Sequence, residues 1–279
     1  MWINGIRQGS TDAGSRDFDS LSAGIEKEMG MRVDKNGGMD MPEKEKNCTA
    51  IVLAAGSGRR MESDIPKQFM TLGDKPLICY SLQAIEQSEI IDDCILVTGR
   101  EDIPFAESEI VKKYGFHKVK NIIEGGAERY ESVFRGLQAL GSREGYTFIH
   151  DGARPFLSEE ILERTYEAVK KYGACVAAMP VKDTVKIADA EDFAVQTPNR
   201  DYVWAVQTPQ VFDTELISRA YQMLFERLEE LKGKGVSVTD DAMVAETMLG
   251  IRVKLVKASY ENIKITTPED MKTALGFLT

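Results

Sequence analysis

Histidine is nearly missing from this 279-residue chain, which has only His117 and His150. A His-rich metal centre is therefore excluded. Four cysteines, Cys48, Cys79, Cys94 and Cys175, lie far apart with no CxxC pair and no histidine at zinc-like spacing, which argues against a zinc site. They read as small core residues in a reducing, cytoplasmic compartment. No apolar run approaches the roughly 20 residues needed to cross a bilayer, so the chain reads as soluble, with no membrane partner. An excess of positive charge is also lacking. The formal net charge of -10 excludes a nucleic-acid-coating role, which needs a basic face to displace counterions from phosphates. A small anionic ligand held by a few local cations remains compatible.

The length, with 43% hydrophobic and 29% charged residues, suffices for one large α/β domain or two small ones. Residues 1–46 contain "RQGSTDAGSRDFDS" and "DKNGGMDMPEKEK", too polar to bury enough surface to offset ordering entropy. A disordered N-terminal extension is expected there, followed by a folded domain over 47–279. The extension lacks the apolar core of a secretory signal, and its acids do not suit a transit peptide.

From residue 49 short apolar runs alternate with helical patterns. "TAIVLAAG", "DDCILVTG", "KVKNIIEGG", "YTFIHDGARP" and "ACVAAMPV" have the continuous hydrophobicity of buried parallel strands. In "ERYESVFRGLQAL", Tyr130, Val133, Phe134, Leu137 and Leu140 recur at helical spacing. Ser158 is placed to cap the helix "EEILERTYEAVKKYG", with acids in its first turn and Gly173 at its end. The alternation predicts an α/β, Rossmann-like fold: a mostly parallel sheet, right-handed crossovers and helices on both faces. His150 beside Asp151 resembles a hydrolase pair, but neighbours on a strand point to opposite faces, so His150 reads as structural.

One section interrupts the alternation. Val181 to Phe212 has strand-like pieces around a polar, acidic turn at Ala188 to Asp192 and no helical pattern. It predicts a β-hairpin projecting from the body, with an arm at about 181–201. The residues leave open whether this is a surface meander or an arm reaching a neighbouring subunit.

"IVLAAGSGRRMESDIPKQF" carries the chemistry. A strand ending at Ala54 or Ala55 and followed by Gly-Ser-Gly leaves backbone N–H groups facing an anion, and glycine allows close approach. The dinucleotide fingerprint fails because Met61 occupies its third glycine position. A P-loop fails because Lys67 follows Pro66 instead of closing a Gly-Lys-Ser/Thr frame. What remains is a glycine loop with Arg59, Arg60 and Lys67 nearby, suited to a triphosphate under attack at its α-phosphorus. The alternative is that these cations decorate an exposed loop.

"LAAGSGRRM" with "PKQF" resembles the start of the sugar-phosphate nucleotidyltransferases, and within them the cytidylyltransferases acting on 2-C-methyl-D-erythritol 4-phosphate. "EGGAERYESV", "HDGARPF", "PVKDTVK", "PNRDYVWAVQTPQVF", "VTDDA" and "NIKITTPEDM" follow in order, so the resemblance spans residues 48–279. It implies transfer of cytidylyl from CTP to methylerythritol phosphate in non-mevalonate isoprenoid precursor synthesis, with pyrophosphate released. Among the loop residues it implies CTP binding by Ala54, Ala55, Gly56, Ser57 and Gly58, with Arg60 and Lys67 stabilising the transition state. Gly126 and Ser132 are implied to read cytosine, and Asp151 and Gly152 to lie at the nucleotide. Arg200 and Lys264 are implied to hold the attacking phosphate. Arg154, Thr184, Thr208 and Thr239 join them and Asp151 in binding the acceptor.

By the same resemblance Mg²⁺ is the cofactor, bound mainly through triphosphate oxygens and water, and a homodimer exchanges its arms so that Thr184 and Arg200 enter the partner's site. Arg129 is expected to hold the cytosine loop. The sequence departs from the family pattern at Ala127, often Asp, which removes one side-chain contact to the base, and at Gly152, often Ala. "VTDDA" reads equally well as a helix cap at Thr239, and "TTPEDM" as a capping box of Thr267, Pro268 and Asp270. A ribitol 5-phosphate cytidylyltransferase is the nearest rival reading, and a non-catalytic nucleotide sensor is the rival of another class.

Overall fold

The computed structural model describes residues 46–56 and 66–278. The extension before Lys46 lies outside the described residues, as does 57–65, which holds the expected site residues Ser57, Gly58 and Arg60. Seven strands form the central sheet among the described residues: β1 (Cys48–Ala54), β2 (Asp93–Thr98), β3 (Val119–Glu124), β4 (Tyr146–Asp151), β5 (Ala174–Pro180), β8 (Trp204–Asp213) and β9 (Lys254–Lys257). Their order across the sheet is β9-β5-β8-β4-β1-β2-β3. β1 pairs in parallel with β2 and β4, β2 with β3, and β5 with β9, while β8 runs antiparallel to both neighbours. The expected mostly parallel α/β sheet is present.

The alternation of β1 builds the layers. Cys48, Ala50, Val52 and Ala54 enter one core with Ile78, Leu82 and Ile85 of α1 (Leu77–Gln87) and Ile161, Leu162 and Val169 of α3 (Glu159–Tyr172). Ile51 points the other way, into a core with Val133 and Leu137 of α2 (Arg129–Leu140), Tyr221 and Leu224 of α4 (Thr214–Glu226) and Val244 of α5 (Asp241–Leu249). Both faces of the strand are therefore apolar, as its sequence suggested. All four cysteines are buried and free. Burial pushes the Cys79 and Cys175 thiols up to about 12, consistent with inert core residues.

Local signals at helix ends are largely realised. Gly173 ends α3 in the left-handed conformation at φ 72°, where glycine carries no Cβ penalty. Ser158 occupies the N-cap position of α3, but its hydroxyl makes no capping bond. In α6 (Pro268–Phe277) the capping box of Thr267 and Asp270 forms as expected, with Pro268 first. The cap of α5 is Asp240 rather than Thr239: its carboxylate accepts from Met243 N–H at 2.9 Å.

The hairpin is shorter than its sequence suggested. β6 (Ile187–Ala188) and β7 (Ala194–Gln196) pair antiparallel. Asp189 accepts from the N–H groups of Glu191 and Phe193 at 3.0 Å each, and Asp192 turns the chain at φ 66°. Side chains along the hairpin are exposed, including Phe193 and Val195. Of the section Val181 to Phe212 read as a hairpin, the part from Trp204 on is the ten-residue strand β8 (Trp204–Asp213) in mid-sheet. It carries Gln207, Thr208, Pro209 and Gln210 into the sheet. The fold satisfies those groups internally, and the pairing register shifts between Val206 and Gln210, where Pro209 has no N–H to offer.

Candidate active site

The chain leaves β1 for β2 and β3 on one side, then returns to β4 on the other. Such a reversal opens a crevice at the carboxyl ends of the strands, where ligands of open α/β sheets bind. Ala54, Ala55 and Gly56 emerge there from β1, and Asp151 ends β4 beside Leu53. Lys67, Gly126, Ser132 and Lys264 complete the expected residues lining the same cleft, together with Gln68, Glu128 and Arg129.

Each contribution has a local cause. Lys67 opens a short helical turn, Lys67–Phe69, and donates to the Ile265 carbonyl at 2.9 Å. Gln68 is buried behind it and donates to the Ala54 carbonyl, fixing where the glycine loop leaves the strand. After β3, the Gly126 N–H donates to Ser132 Oγ at 3.0 Å, and the Ala127 N–H to Glu131 Oε2 at 2.8 Å. Glu128 and Glu131 form a reciprocal capping box at the start of α2, which presents this turn to the cleft. A Cβ on Gly126 would lie 2.2 Å from that of Glu131, so only glycine fits. The Ala127 N–H keeps a partner despite the missing Asp.

Lys264 arrives from a segment bonded along the end of β4. Ile265 N–H donates to the Ala153 carbonyl at 2.8 Å, Arg154 Nη1 to the Asn262 carbonyl at 2.8 Å, and Asn262 Nδ2 to the Thr208 carbonyl at 2.8 Å. These bonds deliver Lys264 Nζ to Asp151 Oδ2 at 2.7 Å. Asp151 Oδ1 accepts from Arg129 Nε at 3.1 Å, and Arg154 Nε stands 3.9 Å from Oδ2. Burial opposes ionisation of this carboxyl, but Arg129, Lys264 and Arg154 together outweigh it and hold it well below the usual carboxylate range. The cleft therefore contains a permanently charged acid with cations on both oxygens. A phosphate entering here would meet both Lys67 and Lys264 in an otherwise acidic protein.

Several expected residues stand elsewhere. Thr208 is buried; its Oγ1 accepts from the Asp151 N–H at 3.1 Å and lies 3.0 Å from His150 Nδ1. Arg154 is almost fully buried, with Nη1 on Asn262. Gly152 packs so that a Cβ would sit 3.0 Å from the Leu53 carbonyl. Through these contacts Thr208, Arg154 and Gly152 also brace the strand end that carries Asp151. Thr239 is exposed, its hydroxyl 3.4 Å from Met243 Sδ, and does not line the cleft. Thr184 and Arg200 are exposed beside the hairpin, and Arg200 Nη1 donates to the Lys182 carbonyl at 2.9 Å. Within one chain they do not reach the cleft lining.

His150 is structural, as read from its strand position. Burial pushes its imidazole down to about 4, with Asp151 opposing. Sequence reasoning missed Asp241, Tyr221 and Gln210, which anchor Arg129 from behind. The available signal was Arg129 itself, a cation at the start of a helix facing the core and in need of a buried acid. Among the described residues no group of three or more His, Cys, Asp or Glu could hold a metal, and no helix is long and apolar enough to cross a membrane.

A switch-point crevice where Gly56 leaves β1 and cations surround one carboxylate is the class of α/β site that suits an anionic ligand. Comparison with known proteins narrows the class. The family profile described as 2-C-methyl-D-erythritol 4-phosphate cytidylyltransferase matches residues 48–279. An enzyme of that name from Lachnospira eligens is 52% identical over 230 residues, 82% of this chain and 98% of its own length. Another from Alkaliphilus oremlandii is 42% identical over 83% of this chain and 95% of its own. Among solved structures, the 4-diphosphocytidyl-2C-methyl-D-erythritol synthase of Anaerococcus prevotii superposes with a TM-score of 0.69 at 36% identity, covering 84% of this chain and 98% of that one. The chain belongs to the 2-C-methyl-D-erythritol 4-phosphate cytidylyltransferase family.

Proposed function

We propose that this protein transfers the cytidylyl group of CTP to 2-C-methyl-D-erythritol 4-phosphate, releasing pyrophosphate and forming 4-(cytidine 5'-diphospho)-2-C-methyl-D-erythritol for isoprenoid precursor synthesis. The observation that carries this reading is the convergence of Lys67, Asp151 and Lys264 at the switch point in a chain of this family. An oxygen of the acceptor phosphate attacks the α-phosphorus of CTP, and the bond to the bridging oxygen of pyrophosphate breaks. The nucleophile is already an anion, so the chain's work is positioning and charge stabilisation.

In this reading Ala54, Ala55, Gly56, Ser57 and Gly58 wrap the nucleotide, and Arg60 and Lys67 stabilise the charge developing around the α-phosphorus. Gly126 and Ser132 read the cytosine edge. Lys264, aligned by Asp151, holds the attacking phosphate in line. Arg200 and Thr184 serve from the partner's hairpin in a homodimer; the exposed apolar side chains of Phe193 and Val195 support burial of this arm against a second copy. A divalent cation such as Mg²⁺ fits a site with few carboxylates, since it keeps several waters when bound to a triphosphate. Both oxygens of Asp151 are paired with Lys264 and Arg129, so the ion would be held mainly by triphosphate oxygens and water, and it would supply neutralisation of the phosphate oxygens. We place the reaction in the cytoplasm, where four free thiols stay reduced.

Pyrophosphate release from CTP with methylerythritol phosphate, ribitol 5-phosphate or no acceptor tests the reading. Turnover with methylerythritol phosphate is expected. Preference for ribitol 5-phosphate would replace the acceptor assignment, and silence with both acceptors would favour a sensor.

A further inference from the structure

We infer that Asp241 is a positioning residue for the transfer reaction, acting through Arg129 to hold Asp151 and Lys264 in their working arrangement; the inference rests on the cytidylyl-transfer reading of the cleft. Asp241 does not line the cleft and is fully buried at the first position of α5. Its Oδ1 and Oδ2 accept from Arg129 Nη1 and Nη2 at 2.9 and 2.8 Å. This forked pair fixes both the plane and the rotation of the guanidinium. With the two terminal nitrogens so held, the Nε–H is directed at Asp151 Oδ1, 3.1 Å away. Asp151 then has Oδ2 left for Lys264 Nζ at 2.7 Å. The charges alternate from Asp241 to Arg129, Asp151 and Lys264, ending on a lysine whose side chain is 36% exposed.

Asp241 is itself held by two further residues, Tyr221 and Gln210. Tyr221 Oη donates to its Oδ1 at 2.6 Å. Its own N–H and that of Ala242 donate to Gln210 Oε1 at 3.0 and 2.9 Å. Gln210 belongs to β8 and stands opposite Ile149 of β4, two residues before Asp151. The strand that ends at the cleft and the anchor of Asp241 are therefore neighbours in one sheet, and the relay has a rigid frame. Buried ion pairs are weak contributors to stability but strong determinants of geometry when every oxygen is satisfied. Without the negative charge of Asp241, Arg129 would keep one acid partner and could rotate to claim both oxygens of Asp151. Lys264 would then lose its anchor on Oδ2.

The test is steady-state pyrophosphate release by Asp241→Asn, which is isosteric and still accepts from Tyr221. The expected result is a loss of about 10²-fold in kcat/KM for the phosphate acceptor, the size of effect that displacement of a positioned group by about 1 Å produces. KM for the acceptor should rise while KM for CTP changes little. Arg129→Met cuts the same relay, so in that background Asp241→Asn should add no more than about twofold, where independent sites would multiply in full.

An unchanged kcat/KM in Asp241→Asn would overturn the inference, as would full multiplication. A fall in kcat with acceptor KM unmoved, the mark of a smaller folded fraction, would also overturn it. If Asp241→Asn fails to fold, Arg129→Lys is read in its place: it keeps a cation beside Asp151 without the fork, and wild-type kcat/KM there overturns the inference. Wild-type enzyme inactive toward both acceptors would instead count against the transfer reading itself and remove the inference with it.

Discussion

Asp151→Asn perturbs the centre of the site with almost no change in volume. In the wild type the carboxylate meets Lys264 at 2.7 Å, Arg129 at 3.1 Å and Arg154 at 3.9 Å. The side chain of Arg154 is 11% exposed, that of Arg129 28% and that of Lys264 36%. Removing one partner of a buried ion pair typically costs about 3–5 kcal/mol, because the other charge is left uncompensated. Here Arg129 keeps Asp241, and Lys264 can turn toward water, which leaves Arg154 as the main uncompensated charge. The lower end, about 3 kcal/mol, is expected. For a protein of this size that corresponds to a fall of about 6–12 °C in Tm.

The pH dependence of that difference is the sharper check. Asp151 has its folded pKa depressed below the unfolded value of about 3.9. Its stabilisation is therefore fully present above that unfolded value and is lost as pH falls below it, toward the folded value. Urea unfolding of wild type and Asp151→Asn should show a constant gap from pH 5 to 8, closing only on stronger acidification. A gap that closed between pH 7 and 5 would mean that Asp151 titrates there, and a gap below about 0.5 kcal/mol at pH 7, the size of an ordinary surface substitution, would refute the ion-cluster argument. Turnover should fall with the same substitution.

Other outcomes follow from the same geometry. His150 is held neutral by burial, its pKa pushed down to about 4. Below its ordinary value the unfolded chain binds a proton that the native state refuses, so the wild type should lose about 3 kcal/mol between pH 6.5 and 4. His150→Gln should flatten that slope in urea titrations; an unaltered slope would mean that another group causes it. In Gly126→Ala the new Cβ would lie 2.2 Å from that of Glu131, so the capping box should open, with KM for CTP raised and stability lowered by about 1–3 kcal/mol. Normal CTP affinity by calorimetry would remove that turn from the nucleotide site. Mixed dimers of Lys67→Ala and Arg200→Ala chains should regain activity over either parent if the hairpin serves the neighbouring subunit. No regain would end the arm-exchange proposal.

Elements that depend on local pattern were legible in the residues alone. Apolar runs such as "TAIVLAAG" became buried strands, the spacing of Val133, Leu137 and Leu140 became the inner face of α2, and Gly173 and Thr267 marked helix ends through the backbone and side-chain chemistry of caps. Short segments carry these signals because helix and strand periods repeat within one element. The ordered motifs likewise pointed to Lys67, Asp151 and Lys264 as site residues.

Which of those residues meet, and where polar segments go, depended on how the whole chain packs. Lys264 is 113 residues from Asp151, and Arg129 is 112 from Asp241; no local period relates them. Sheet order makes them neighbours. The same order took Trp204–Asp213 into mid-sheet with its polar side chains, because Thr208, Gln210 and Gln207 find partners on His150, Asp240 and Ser259. Burial of a polar group depends on whether the rest of the fold supplies its hydrogen bonds. Thr208, Arg154 and Asp241 acquired their framework roles in this way, through contacts that exist only after the distant parts of the chain have packed.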